Sequence, residues 1–184
     1  MKHRPLVFLD IETTGLSAGA GRITEIGALR IEDHKVTGKF KQLINPEVNI
    51  PPFITRLTGI TNEMLWDSPT FKAIADDLEM FLDGALFVAH NVSFDYGFIK
   101  AEYERLGNKF AMDRVCTAKL SKRLYPEHRS HALDRIIERM ELDVANRHRA
   151  YDDAEVLWKF FQAEYVKRDL ELFKHVNKLT TFAI

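Results

Sequence analysis

The chain opens with a continuous apolar run, Leu6-Val7-Phe8-Leu9, which passes into Asp10-Ile11-Glu12 and so reads as a strand ending in two acids. Residues 22–32 carry apolar side chains on both faces, the pattern of a strand with neighbours on either side. In residues 36–45, Lys39 and Lys41 alternate with Phe40 and Gln42, which marks an edge strand. Residues 17–21 form a flexible loop between the first two strands. After the proline-marked connection 45–52 the period changes from two to that of a helix. Phe71, Ile74, Leu78, Phe81 and Leu82 make one apolar stripe, which predicts a helix starting at Ser68-Pro69 and ending at Gly84. Residues 86–89 read as a short buried strand, followed by a helix over 93–106 that Gly107 terminates. Further helices are expected near 116–124 and 130–140, and a last one over 150–166 with the stripe Ala154, Leu157, Trp158, Phe161 and Tyr165. Trp66 and Trp158 are assigned to the core, and residues 180–184 are expected to fray. Three opening strands, then helices with a further strand among them, predict an α/β fold: a mixed central sheet flanked by helices.

Composition narrows the class without changing this picture. With 184 residues, 46% apolar and 29% charged, the chain suits one domain, its core at about 5–170 with a short C-terminal extension. A chain of this size buries roughly 70% of its unfolded surface. No run is long enough to span a bilayer, and Asp10 and Glu12 cut short the first apolar run, so it does not read as a signal peptide. A cytosolic location is expected, with no membrane partner. Cys116, the only cysteine, excludes an internal disulfide and a multi-cysteine zinc site. The net charge is −1, yet from Arg114 to Arg149 nine Lys and Arg stand against five Asp and Glu. That imbalance suits either a phosphate-facing surface or an ordinary solvated helical face.

The acids carry the chemistry. Side chains two apart on a strand share a face, so Asp10 and Glu12 stand side by side at the strand end. Bare carboxylates there repel, whereas a hard divalent cation such as Mg²⁺ or Mn²⁺ between them attracts both. A strand end whose acids face water has the same pattern. Asp95 opens a helical stripe continued by Ile99, Tyr103 and Leu106, and Asp153 opens one continued by Leu157 and Phe161. Both therefore point inward, which is costly for an acid unless it is paired, protonated or bound to a cation. Either alone has a simpler explanation as an acid at a helix N-terminus; four in such contexts are enough carboxylates for a pair of metal ions.

Three segments carry a family resemblance: Asp10-Ile11-Glu12-Thr13-Thr14-Gly15, then His90-Asn91-Val92-Ser93-Phe94-Asp95, then His148-Arg149-Ala150-Tyr151-Asp152-Asp153. In order and spacing they resemble the exonuclease motifs of the DEDD superfamily, and the histidine five residues before the last acid marks the DEDDh branch. That branch includes proofreading exonucleases of bacterial DNA polymerase III. The resemblance implies a ribonuclease H-like fold, with helices on both sides of the mixed sheet. It implies that Asp10, Glu12 and Asp153 bind a first metal, that Asp10 and Asp95 serve a second, and that His148 is the general base. Two such ions, roughly 3.5–4 Å apart, activate a water and stabilise the attacking and departing oxygens. Asp152 is a neighbouring rival to Asp153, but it lies four residues after His148, not five.

The resemblance further implies a 3′ to 5′ exonuclease releasing nucleoside 5′-monophosphates from single-stranded or frayed DNA 3′ ends. RNA trimming is the alternative within the family, and a non-catalytic module binding a polymerase or nucleic acid is the alternative outside it. A DNA polymerase is a possible partner. For substrate contacts it points to the backbone of Thr13, Thr14 and Gly15, to Leu57 as a wedge beside Thr58, and to Asn91, Phe94 and Phe98. The two aromatics fit a core role as well, and residues 57–61 also read as a turn between two short helices. His90 is assigned to packing, and His3, His34, His128, His131 and His175 receive no role.

Overall fold

The computed structural model describes residues 4–183. Five strands, β1 (Leu6–Thr13), β2 (Ile23–Glu32), β3 (Lys35–Leu43), β4 (Leu86–Ala89) and β5 (Arg114–Cys116), form one sheet in the order β3-β2-β1-β4-β5. The first three pair antiparallel, while β1, β4 and β5 run parallel. As expected, β2 is flanked on both sides and almost wholly buried, and β3 is the edge. Helices α1 (Pro52–Thr58), α2 (Asn62–Leu65) and α3 (Phe71–Leu82) follow β3, and α4 (Ser93–Arg105) joins β4 to β5. Then come α5 (Thr117–Leu124), α6 (Leu133–Met140), α7 (Ala150–Arg168) and α8 (Leu170–Leu179). None of these helices is long and apolar enough to cross a membrane.

The period of two in β1 divides the core. Val7, Leu9 and Ile11 pack with Ile74 and Leu78 of α3 and Phe98 and Ile99 of α4. Leu6 and Phe8 point the opposite way, into a second cluster with Leu157, Trp158 and Phe161 of α7. Phe8 meets the Trp158 ring at 5.5 Å and the Phe161 ring at 5.4 Å between centroids, contacts of the kind that add to simple area burial. Asp10 and Glu12 continue that same face. From Phe8 to Glu12 a strand advances ~13 Å, and from Phe161 back to Asp153 a helix advances ~12 Å. The two elements, running in opposite directions, thus bring the strand acids level with the helix acid.

Gly27 permits this approach. It pairs with Asp10 across the β1–β2 ladder, and a Cβ there would lie 2.0 Å from the Tyr151 backbone nitrogen and 2.2 Å from the Ala150 carbonyl carbon. The first turn of α7 therefore rests directly on the β2 backbone. Two residues along the same face, Glu25 is 1% exposed and accepts from both Arg149 Nη2 at 2.8 Å and Nε at 3.0 Å, and from the Ala150 N–H at 3.1 Å. A glycine beneath the helix and a carboxylate at its start fix where α7 begins.

Several expectations need correction. Trp66 is 68% exposed, because the small cluster of Ile50, Ile54, Ile60 and Leu65 is filled without it. Residues 180–183 do not fray: the Thr181 N–H donates to the Arg114 carbonyl at 2.8 Å, and the Ala183 N–H donates to the Asp113 carboxylate at 2.8 Å. Ile184, like His3, lies outside the described residues. The helix expected from Ser68 starts at Phe71, since the Asn45 N–H donates to the Pro69 carbonyl at 2.9 Å and Asn45 and Thr70 form an isolated β-bridge. Strand β5 and helix α8 were not predicted. A three-residue strand carries too little period to read, and α8 follows a break at Asp169, whose φ is 47°.

Gly27→Ala is expected to destabilise the fold by at least the roughly 1–3 kcal/mol typical of overpacking, because backbone, not a flexible side chain, must move. Thermal or denaturant unfolding measures this loss, and wild-type stability would show that α7 does not lie against β2 at this glycine.

Candidate active site

Three elements and one loop meet at the C-terminal end of β1. The strand presents Asp10 and Glu12 toward α7, the first turn of α7 presents Asp153, and the first turn of α4 presents Asp95. Asp95 is 2% exposed, and the Ile11 backbone N–H, between the two strand acids, is near enough to oppose part of the rise that burial imposes on its carboxyl. His148 stands just before α7 in a left-handed conformation, φ 61°, and its N–H donates to Asp153 Oδ2 at 3.3 Å. Glu12, His148 and Asp153 each place a ligand atom within 4.8 Å of the others. All five residues singled out in the sequence are therefore neighbours. Asp152 is not among them: it turns to Asn146, whose Nδ2 donates to it at 3.0 Å.

So many acids in one place are not comfortable. Burial, followed by the charges of Asp95, Asp153 and Glu12, holds the Asp10 carboxyl well above the usual carboxylate range. Burial likewise holds Asp95 well above it. Burial and the charges of Asp153 and Glu25 push Glu12 up to about 8, against the pull of Arg147 and Arg149. Asp153 is raised by burial in spite of an ion pair with Arg147. Its Oδ1 is buried without a hydrogen-bond partner. An acceptor left bare beside other raised carboxylates suits a hard divalent cation, and Asp10, Glu12, Asp95 and Asp153 are the carboxylates placed to hold one.

The predicted substrate contacts separate by exposure. Thr13 and Thr14 are buried and spend their hydroxyls internally: Thr13 Oγ1 donates to the Gly15 carbonyl at 2.7 Å, and Thr14 Oγ1 accepts from the Arg22 N–H at 2.9 Å. Thr58 is buried too, its hydroxyl donating to the Ile54 carbonyl at 3.0 Å and accepting from Ile60 N–H at 3.1 Å, so it shapes the turn between α1 and α2. Leu57 is 51% exposed. Phe98 is fully buried under Gly21, and Phe94 leans on it at 4.9 Å, while Asn91 is exposed with φ 55°. His90 packs, its Nδ1 3.0 Å from Thr117 Oγ1, and burial pushes its pKa down to about 4.

Three residues were missed. Glu25 positions α7, and the available signal was an acid on the buried face of an otherwise apolar strand. Arg147 bridges Asp153 and Asp134, the latter at 2.7 Å, and nothing in the local sequence distinguishes it from Arg149. Leu16, directly after the first motif, is 84% exposed.

With this geometry, the family follows. Residues 7–161 match the RNase_T exonuclease family, and the chain belongs to it. The 3′-5′ exonuclease DinG of Bacillus subtilis (strain 168) is 39% identical over 163 residues, which are 88% of this chain and 18% of that one. A PolC-type DNA polymerase III of Caldanaerobacter subterraneus is 38% identical over 155 residues, 84% of this chain and 11% of that one. The chain thus spans less than a fifth of either relative's length. Among solved structures, Exonuclease X in complex with 5′ overhanging duplex DNA matches with TM-score 0.67 and 27% identity, over 86% of this chain and 92% of that one. The nuclease domain of 3′hExo, a DEDDh family member bound to rAMP, matches with TM-score 0.78 and 18% identity, over 92% of this chain and 94% of that one, a likeness of fold. The exonuclease-family resemblance and the mixed sheet flanked by helices expected from the sequence are both found, and the fold is shared with a DEDDh nuclease domain.

The raised acids make stability depend on pH in chelator. Between the ordinary glutamate value of 4.5 and about 8, the folded chain holds a proton on Glu12 that the unfolded chain has released. Folding is then accompanied by proton uptake, so this contribution to stability is lost as pH rises through that window. Melting temperatures in EDTA should fall across it. Glu12→Gln should flatten the fall and added Mg²⁺ should offset it; a wild-type slope unchanged by Glu12→Gln would contradict the assignment.

Proposed function

We propose that this chain is a metal-dependent exonuclease that removes nucleoside 5′-monophosphates one at a time from a 3′ end. The observation that carries the reading is the meeting of Asp10, Glu12, Asp95, Asp153 and His148 at the end of β1, with an unpartnered buried oxygen on Asp153. Asp10, Glu12, Asp95 and Asp153 are the residues that would hold two divalent cations, Mg²⁺ or Mn²⁺. When bound, such cations lower the pKa of water and neutralise charge developing on phosphoryl oxygens.

The chain's own groups do the rest. His148, anchored through its N–H on Asp153, presents its ring to the cluster and accepts the proton of the attacking water. The internal bonds of Thr13 and Thr14 hold the backbone from Glu12 to Gly15 in a fixed shape, against which a terminal nucleotide can lie. Gly15, with nothing within 4 Å of the position of a Cβ, leaves that approach open. Exposed Leu16 and Leu57 offer apolar surface for the terminal base, and Asn91 a polar contact. A site enclosed by elements on several sides favours a single-stranded or frayed terminus.

DNA is the favoured polymer, on the likeness to DinG and to PolC-type polymerase III, and a polymerase is the corresponding partner. RNA is the second reading, favoured by the fold shared with 3′hExo bound to rAMP.

Incubation with 3′-labelled and 5′-labelled DNA and RNA oligonucleotides, with Mg²⁺, Mn²⁺ or chelator, tests polarity, sugar preference and metal need together. Mononucleotides released from the 3′ end only with metal are expected, and internal cuts or no cleavage would overturn the reading. Asp10→Ala should abolish turnover while the far-ultraviolet circular dichroism stays native. His148→Ala should lower kcat by about 10²–10⁴-fold, the usual contribution of a general base; a variant that keeps wild-type kcat would show another base.

A further inference from the structure

Beside the site lies a cleft of ≈ 470 Å³ whose walls come from the β4–α4 connection, α5 and the start of α6. It begins at His90 and Asn91, immediately after β4, the strand paired with β1, and so it adjoins the end of the sheet where the acids gather. Ala118, Val92 and Cys116 supply apolar lining, and Lys119 and Lys122 supply charge. No acid lines it. In a chain of net charge −1, a cleft with two ammonium groups and no carboxylate is a local departure that calls for an anion.

The fate of the other cations in this stretch sharpens the point. Arg135 pairs with Glu138, Arg147 with Asp134 and Asp153, and Arg149 with Glu25. Arg114 stacks on Tyr96, and Arg123 donates to His175 at 2.8 Å. Lys119 and Lys122 are exposed and make no ion pair among the described residues. Three apart on one helix, their stems rise from neighbouring positions ~5–6 Å apart. The segment 128–132 then carries the surface onward: His131 and Ala132 line this cleft, while His128, Arg129 and Ser130 line a second one with Arg139 and the paired Arg135 and Glu138. The Arg139 guanidinium lies 5.6 Å from the Tyr125 ring centroid, and among the described residues its Nη1 and Nη2 have no hydrogen-bond partner.

We propose that this cleft is a binding site for the phosphates of the strand upstream of the 3′-terminal nucleotide, with Lys119 and Lys122 as its charged contacts. It rests on the exonuclease reading for the direction in which the strand enters. The two lysines read no base; they hold successive phosphates, so the strand stays seated after each terminal nucleotide leaves. The surface continuing through Arg129 toward Arg139 is where a longer strand runs on. DNA and RNA share this chemistry and are held alike.

The test compares wild type with Lys119→Gln/Lys122→Gln. Fluorescence anisotropy of a labelled single-stranded oligonucleotide in EDTA reads the cleft without any turnover. The double variant should bind roughly tenfold more weakly, and the slope of log K against log salt should become shallower by about 1.4, at 0.7 per phosphate contact. Hydrolysis of the p-nitrophenyl ester of thymidine 5′-monophosphate with Mn²⁺ reads the catalytic cluster alone and should be unchanged, because that ester has no upstream phosphate. Equal affinity and equal salt slope for variant and wild type would overturn the cleft proposal whatever the ester shows. A wild type inactive on the ester and on oligonucleotides would instead overturn the exonuclease reading, while a binding difference would still support the anion cleft.

Discussion

Burial of Asp10, Glu12, Asp95 and Asp153 at one point, with the repulsion it sharpens among them, is the constraint to which the rest of the structure answers. Four carboxylates drawn out of water toward one point oppose folding, and the raised pKa values of all four express that opposition. Arg147 on Asp153 and Arg149 near Glu12 relieve part of it. The remainder is affinity for cation and is the source of the chemistry.

Holding the acids together despite repulsion requires rigid support, and the fold supplies it around the first turn of α7. The apolar half of the shared face, Leu6 and Phe8 against Trp158 and Phe161, sets the two elements side by side. Gly27 lets the helix backbone descend onto β2, and Glu25 fastens it there through Arg149 and Ala150. On the other side of the strand, Asp95 lies near the Ile11 N–H, and Glu102, 2% exposed, accepts from Arg22 at 2.9 Å and the Ile23 N–H at 3.3 Å. The loop after the first motif is thus clamped at both ends, because the Thr14 N–H donates to the Arg22 carbonyl at 2.9 Å.

The same surface sorts its charges by task. Arginines that pair with acids lie around α7 and fix its position, whereas the lysines of α5 make no ion pair among the described residues and line the neighbouring cleft. A planar guanidinium suits a fixed, bidentate contact such as Arg149 on Glu25, and a flexible ammonium suits a ligand that moves past it. The division separates the scaffold from the surface along which substrate is proposed to travel.

The chain's sequence alone determined what depends on period and spacing. Alternation placed Asp10 and Glu12 on one strand face, helical stripes aimed Asp95 and Asp153 inward, and His148 stood five residues before the last acid, so family, sheet class and acid set were all legible. Proximity across the sheet was not. That α7 runs antiparallel along β1, that Gly27 rather than another glycine takes the close contact, and that Glu25 anchors a helix more than a hundred residues later depend on packing between distant segments. For the same reason Thr13 and Thr58 turned out to be spent on internal hydrogen bonds, and Trp66 turned out to lie at the surface. Local sequence states which way a side chain points on its own element; only the assembled layers decide what it meets there, because burial and pairing are properties of two surfaces and not of one.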